Sequence, residues 1–403
     1  MYLVITIFWI CVFCLLHSYV FYPLILKLVA YNKANNQNVY VNNEQKLPYV
    51  SFVMSVFNEE TVIEKKLISV LQSNYPKHKL QIIIGSDNSI DSTNNILERY
   101  VKTNDQVQFF NFEERRGKPS VINDIVGNAI ENYQNEEKHI IIISDANVML
   151  QKSTVFELVK HFKNPQIGLV DSNLQNPISN IKNINGISGS ETTYISREVH
   201  LKNLEGIAWG RTMGPLGGCY ALRADLFEPI PPGFLVDDFF IAMNVFEKGG
   251  LAINELEAVC FESSPNNISE EFRRKTRISA GNFANLSYFK HLLWPPTSSL
   301  SFAFLSHKVL RWYGPFFIII AYFCLLIMSF TTNSYYSWLY IIYNFCLFGI
   351  PLIDWLFNKI NFSIDLLRYI TYFNAMNLAL FNGFFKYLKG VQNGIWEPTR
   401  RDV

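Results

Sequence analysis

"LQIIIGSDNSIDST", residues 80–93, decides how the chain is read. Its first half is a short apolar run rich in isoleucine. Its second half turns abruptly to Asp, Asn and Ser. A strand of that kind is buried on both faces, as in a parallel sheet covered by helices. Two other runs have the same form, "PYVSFVMSVF" (48–57) and "HIIIISD" (139–145). Between the first two strands lies "EETVIEKKLISVLQS" (59–73), whose apolar positions Val62, Leu67, Val70 and Leu71 fall roughly on one helical face. The pattern is strand–helix–strand with right-handed crossovers, and it predicts an α/β domain. In such sheets ligands sit beyond the carboxyl ends of the strands.

Polar residues collect at those ends. Asn58, Glu59 and Glu60 follow the first strand, Asp87, Asn88, Ser89 and Asp91 the second, and Asp145 and Asn147 the third. Two readings apply to Asn58, Asp91 and Ser92: caps for the next helix, or ligand contacts. Asp145 differs, because "DANVML" offers no good helix start. A buried carboxylate there needs a partner, and a divalent cation would serve. "RRGKPSVIN" (115–123) sets Arg115, Arg116 and Lys118 around Gly117, which suits either a solvated basic turn or a ligand-facing loop. In "ETTYISREVHLKNLEG" (191–206), Glu191, Tyr194, Glu198, Lys202 and Glu205 recur at helical spacing. That stripe is either solvated or lines an acceptor site.

"RRKTRISAGN" (273–282) places three guanidinium groups and an ammonium within five positions, shortly before an apolar tail. Lipid headgroups would suit it, and so would a diphosphate leaving group. Arg274 and Arg277 are three apart and share a helical face, and guanidinium forks match phosphate oxygens.

Of the 403 residues, 49% are apolar and 17% charged, and the apolar ones are unevenly spread. A net charge of +1 excludes nucleic-acid binding by bulk electrostatics. The six cysteines show neither a disulfide framework nor zinc spacing. No charged residue precedes Lys27, which predicts an uncleaved transmembrane anchor over 1–30. Lys27 and Lys33 follow its apolar run 1–26, so the next block is expected in the cytoplasm, at the inner (plasma) membrane. The expected organisation is a cytoplasmic domain over 34–290, an interfacial amphipathic helix over 297–312, a C-terminal transmembrane region over 313–390 and a cytoplasmic tail over 391–403. Within that region 314–330 and 338–353 read as spans, and 369–385 as a weak span or re-entrant element.

Taken in order, these segments resemble glycosyltransferase family 2, the GT-A fold that uses nucleotide-diphospho-sugars. "VMSVFNEE" (53–60) resembles its opening nucleotide-binding strand, and "GSDNSIDST" (85–93) the loop that holds base and ribose. "RRGKPSVIN" resembles the Gly-Lys segment, and "SDAN" (144–147) stands where the family has its Asp-x-Asp metal motif. "VDDFFIAMNVFEKG" (236–249) resembles the Glu-Asp motif, "RRKTRISAGN" stands at the Gln-x-x-Arg-Trp motif, and "GIWEPTRR" (394–401) resembles the tail of membrane-bound members. Three departures are Asn147 for the second metal acid, Asp237 for Glu, and Arg274 and Ile278 for Gln and Trp.

The resemblance implies a mixed, mainly parallel GT-A sheet and an inverting transfer. Asp238 is then the catalytic base, with Asp237 its rival. Asn58, Glu59, Asp87, Ser89, Lys118, Asp145, Arg274 and Arg277 bind the donor, and Asp145 with Asn147 holds Mg2+ or Mn2+. The implied partners are a UDP-linked sugar, a glycan or lipid-linked acceptor and a lipid bilayer. The missing Trp favours single transfer over a processive synthase. A non-catalytic membrane scaffold is the remaining alternative.

Overall fold

The computed structural model describes residues 1–41, 46–133, 138–176, 187–262, 268–331, 334–360, 362 and 364–390. The chain divides into two units. One comprises Val29–Asn180 and Ile195–Ser264 and carries the sheet. The other comprises Met1–Leu28, Ile181–Tyr194 and Pro265–Gly390 and is helical. The tail motif "GIWEPTRR" lies outside the described residues.

The sheet has eight strands: β1 (Tyr49–Val56), β2 (Leu80–Asp87), β3 (Val107–Phe112), β4 (His139–Ser144), β5 (Met149–Leu150), β6 (Ile167–Gln175), β7 (Cys219–Arg223) and β8 (Leu251–Phe261). Their order is β3-β2-β1-β4-β7-β6-β8-β5. β3, β2, β1 and β4 run parallel, as do β6 and β8, while β7 is antiparallel to both its neighbours and β5 to β8. The three strands expected from their apolar runs are β1, β2 and β4. The helix expected between the first two is Ile63–Leu71.

Phe52, Met54, Ile82, Ile84 and Ile142 lie in one buried core with Ile63, Leu67 and Val70 of that helix. On the other face, helix Lys118–Asn132 approaches β2 so closely that no Cβ would fit between Gly85 and Val121. The chain leaves β1 toward β2 and β3 on one side and reaches β4 on the other. This reversal opens a crevice at the carboxyl ends of β1 and β4, where ligands bind in open α/β sheets. Because β7 is antiparallel to β4, with Ser144 opposite Cys219, the turn before β7 reaches the same edge.

In the helical unit, Tyr2–Val29, Gly314–Thr331 and Tyr335–Lys359 are long and apolar enough to cross a membrane. Asp365–Leu388, the weak-span candidate, is not among these three. It packs on helix Ile268–Phe289 through Gly383, where a Cβ would collide with Ser279, and the Ser279 hydroxyl donates to the Leu380 carbonyl (2.8 Å). That packing groups the arginine-rich helix with the apolar helices rather than with the sheet. The expected interfacial segment is helical over Ser299–Trp312, capped by Ser298 Oγ, which accepts from Ser301 N–H (3.0 Å). Within it His307 is fully buried, with its ring 6.2 Å from that of Tyr22.

Candidate active site

The loops after β1 and β2 are stitched together. Ser89 Oγ accepts from Asn58 N–H (3.1 Å) and Ser86 Oγ (2.8 Å), and Asn58 Oδ1 accepts from Ile90 N–H (2.9 Å). Asp91 accepts from Glu60 N–H (3.2 Å) and from Thr93 N–H (3.0 Å). Thr93 opens the helix Thr93–Thr103, so Asp91 holds its first N–H from one residue before the N-cap Ser92, whereas Asn58 bridges loops from a left-handed backbone (φ +53°). Glu59 enters the same seam through its N–H, which donates to Thr93 Oγ1 (2.9 Å). Asn58 Oδ1 and Ser89 Oγ thus tie the two loops together.

Asp87, expected at the donor base and ribose, is buried and accepts from two backbone groups, Arg116 N–H (2.7 Å) and Gly117 N–H (2.9 Å). Its carboxylate therefore holds the basic turn in place. Arg115 lies 3.9 Å from Asp87 and stacks on Phe57, its guanidinium carbon 3.5 Å from the ring centre. Gly117, at φ +84°, makes the bend that starts the helix at Lys118. Arg115, Gly117 and Lys118 build the turn into the edge, while Arg116 stays exposed and pairs with Asp124.

Lys118 then reaches across the edge. Its Nζ lies 2.8 Å from Asp145 Oδ1 and 3.3 Å from Asp237 Oδ2. Burial pulls the ammonium pKa down, but the charges of Asp145 and Asp237 outweigh it and hold it well above the usual lysine value. Asp145 follows β4, and its N–H donates to the Gly218 carbonyl (3.1 Å). Asp237 and Asp238 open the helix Asp237–Glu247, where negative charge is favoured by the helix dipole. Asp238 Oδ1 accepts from Phe239 N–H (2.7 Å). Its Oδ2 faces Gly217, where an added Cβ would stand only 2.7 Å away and where φ is +87°. Burial and the neighbouring Asp237 charge push the Asp238 pKa up to about 6, against the pull of Lys118.

The structure therefore brings Lys118, Asp145, Asp237 and Asp238 together, with Asp87 behind the basic turn. Asn147 is at the same edge, and its amide donates to Glu262 Oε1 (3.0 Å). Arg274 and Arg277 belong to the helical unit. There Glu271, fully buried, lies 3.6 Å from Arg274 and 3.2 Å from Lys275.

Several residues escaped the sequence reading. The stripe on the helix Ile187–Trp209 is exposed at Tyr194 and buried further along. Glu198, Lys202 and Glu205 are all buried. Lys202 lies 3.9 Å from Asp171 of β6, and Glu205 accepts from Met213 N–H (3.0 Å). Burial pushes the Asp171 pKa up to about 7, against the Lys202 charge and the N–H of Leu216. The Tyr220 hydroxyl is buried with no hydrogen-bond partner among the described residues. Lys66 is fully buried beneath the Asp145 turn. An aspartate inside the apolar run "IGLVDSNLQ", and a lysine on the apolar face formed by Ile63, Leu67 and Val70, were the available signals.

These side chains suit a divalent cation bound together with a diphosphate. Asp145 is a hard oxygen donor with its carboxylate partly open. Among the described residues no group of three or more His, Cys, Asp or Glu is placed to hold a metal alone. Mg2+-like ions commonly take one or two carboxylates and complete their shell with substrate phosphates and water, and the single Asp145 carboxylate matches that habit.

Residues 51–227 match the profile described as glycosyl transferase family 2. The chain carries a family 2 glycosyltransferase domain. This glycosyltransferase is 24% identical over 345 residues to a poly-beta-1,6-N-acetyl-D-glucosamine synthase of Staphylococcus epidermidis, an alignment covering 83% of the chain and 78% of the relative. A Staphylococcus aureus protein of the same description is 28% identical over 132 residues, 32% of this chain and 30% of the relative. Among solved structures, a Pyrobaculum calidifontis mannosyltransferase in complex with GDP-Man and Mn2+ superposes with a TM-score of 0.67 at 19% identity. That match covers 95% of this chain and 99% of the other, and it shows that the glycosyltransferase has the GT-A fold.

Proposed function

We propose that the enzyme transfers a sugar, with inversion, from a UDP-sugar to a growing glycan or lipid-linked acceptor in the making of a surface or secreted polysaccharide. The observation that carries this reading is Lys118, joined to both Asp145 and Asp237 beside the raised-pKa Asp238. Asp238 takes the proton of the acceptor hydroxyl as its oxygen attacks the anomeric carbon. The bond to the diphosphate breaks through an oxocarbenium-like transition state. Lys118 offsets charge on the departing diphosphate. A Mg2+ or Mn2+ ion held at Asp145, assisted by Asn147, would add Lewis-acid stabilisation of that leaving group. Asp237 pairs with Lys118 and supports its position, which leaves Asp238 the better base. Anchoring through the three apolar helices fits this reading, and Lys27 at the end of the first with Lys33 just beyond it supports a cytoplasmic sheet unit at the inner membrane by the positive-inside bias.

A second reading, repeated transfer to make a polymer, is favoured by the alignment with a named polysaccharide synthase over 83% of the chain. Incubating the detergent-purified protein with Mn2+ and a panel of UDP- and GDP-sugars tests both. Nucleoside diphosphate release with one donor supports transfer, and product mass distinguishes one added sugar from a ladder. No release with any donor and any glycan acceptor contradicts both readings.

A further inference from the structure

Lys66 lies on the inner face of the helix Ile63–Leu71, with none of its surface exposed. Its ammonium crosses beneath the carboxyl end of β4 and donates to Ser144 Oγ (2.7 Å) and to the Val148 carbonyl. It also sits 5.1 Å from the ring centre of Phe52. Ser144 and Val148 bracket the turn that carries Asp145 and Asn147, and Val148 N–H closes that turn on the Asp145 carbonyl (3.3 Å). The Ser144 hydroxyl passes the connection on by donating to the Gly218 carbonyl (2.8 Å), which also accepts from Asp145 N–H (3.1 Å). Gly218 follows Gly217, the residue packed against Asp238 Oδ2.

A buried ammonium is costly to desolvate, and an apolar side chain of similar volume is often neutral or stabilising in such a place. Burial lowers the Lys66 pKa accordingly. The fold of this helix needs only an apolar residue there, since Ile63, Leu67 and Val70 around it fill the core. What an apolar residue lacks is a donor able to hold both ends of the 144–148 turn.

We propose that Lys66 is a positioning residue for sugar transfer, fixing the Asp145 turn directly and the Gly217–Gly218 turn beside Asp238 through Ser144. The inference rests on the reading that the Asp145 turn holds a metal-bound diphosphate. Removing groups that orient a metal ligand typically costs about 10–100-fold in metal affinity or activity.

The test compares full-length wild type, Lys66→Met, Ser144→Ala and the double variant in detergent. Binding of Mn2+ with UDP is measured by calorimetry, with GDP in its place where the donor screen selects it, alongside kcat, KM and Tm. Lys66→Met is expected to weaken Mn2+·nucleotide binding and to lower kcat, each about tenfold or more, while Tm stays level or rises. Ser144→Ala shifts the same quantities in the same direction by less. The double variant is no worse than Lys66→Met alone, because both lie on one connection. Unchanged affinity and kcat with a lowered Tm make Lys66 a residue of the fold only and overturn the inference. If Lys66→Met does not fold, Ser144→Ala decides: wild-type affinity and kcat in that variant overturn it. Wild type that binds no Mn2+·nucleotide at all overturns the functional reading itself, an outcome distinct from wild type and variant binding equally.

Discussion

Lys118 Nζ stands 2.8 Å from Asp145 Oδ1, so the first residue of one helix is fastened to the residue that follows β4. The two are 27 positions apart in sequence. The contact sets a cation at the carboxyl edge of the sheet, between Asp145 and the Asp237–Asp238 pair.

Replacing Lys118 with Met removes that cation and leaves Asp145 and Asp237 without it. Loss of one pre-placed electrostatic stabiliser typically costs about 10²–10³ in kcat. The Lys118→Met variant is expected in that range, with a raised donor KM and a lower Tm. Steady-state kinetics at saturating acceptor check it.

The pH profile follows from Asp238. Its pKa is raised to about 6 by burial and by Asp237, with Lys118, Lys202 and the Phe239 N–H pulling the other way. A base works when deprotonated, so kcat should be level above pH 6 and fall about tenfold per unit below it. Lys118→Met removes a cation that lowers the Asp238 pKa and should move the break upward. A stopped assay from pH 5 to 9 reads both.

Gly217→Ala tests the space beside the base. The new Cβ meets Asp238 Oδ2 at 2.7 Å, at a backbone angle that side chains rarely adopt. Misplacing a reacting group by about 1 Å can cost about 10²-fold. The expected outcome is a kcat loss of that order with donor affinity little changed, measured by calorimetry on the same preparation.

Lys202→Met acts on stability. Asp171 has a folded pKa of about 7, raised above the ordinary carboxylate value. It binds its proton more tightly folded than unfolded, so its contribution declines as pH rises from about 4 to 7. Removing Lys202 raises that pKa further and extends the decline to higher pH. Breaking a buried pair on one side costs about 3–5 kcal/mol. Melting curves should show Lys202→Met close to wild type at pH 5 and much less stable at pH 8.

The parallel half of the sheet was legible because its strands are unbroken apolar runs ending in Asp, Asn or Ser. β1, β2 and β4 announce themselves this way. β6 and β8 do not, since Asp171 and Asn254 interrupt them with polar residues that the fold buries. The edge residues Asp145 and Lys118 stood out in their own loops and Asp238 only through the family resemblance, and the neighbours of all three depend on long-range pairing. Nothing local shows that Asp87 holds the turn at Arg116 and Gly117, or that Ser89 serves Asn58. The charged positions Glu198, Lys202 and Glu205 mislead for the same reason. Helical spacing gives a face, and only the partner strand decides whether that face meets water.

The most direct test of the account is Asp238→Asn in full-length protein, with donor binding and turnover measured side by side. The variant keeps the size of the side chain and loses the base. Removal of a general base costs about 10²–10⁴ in rate, so turnover should fall by that much while donor affinity stays near wild type. Asp238→Asn protein that transfers sugar at the wild-type rate would contradict the account.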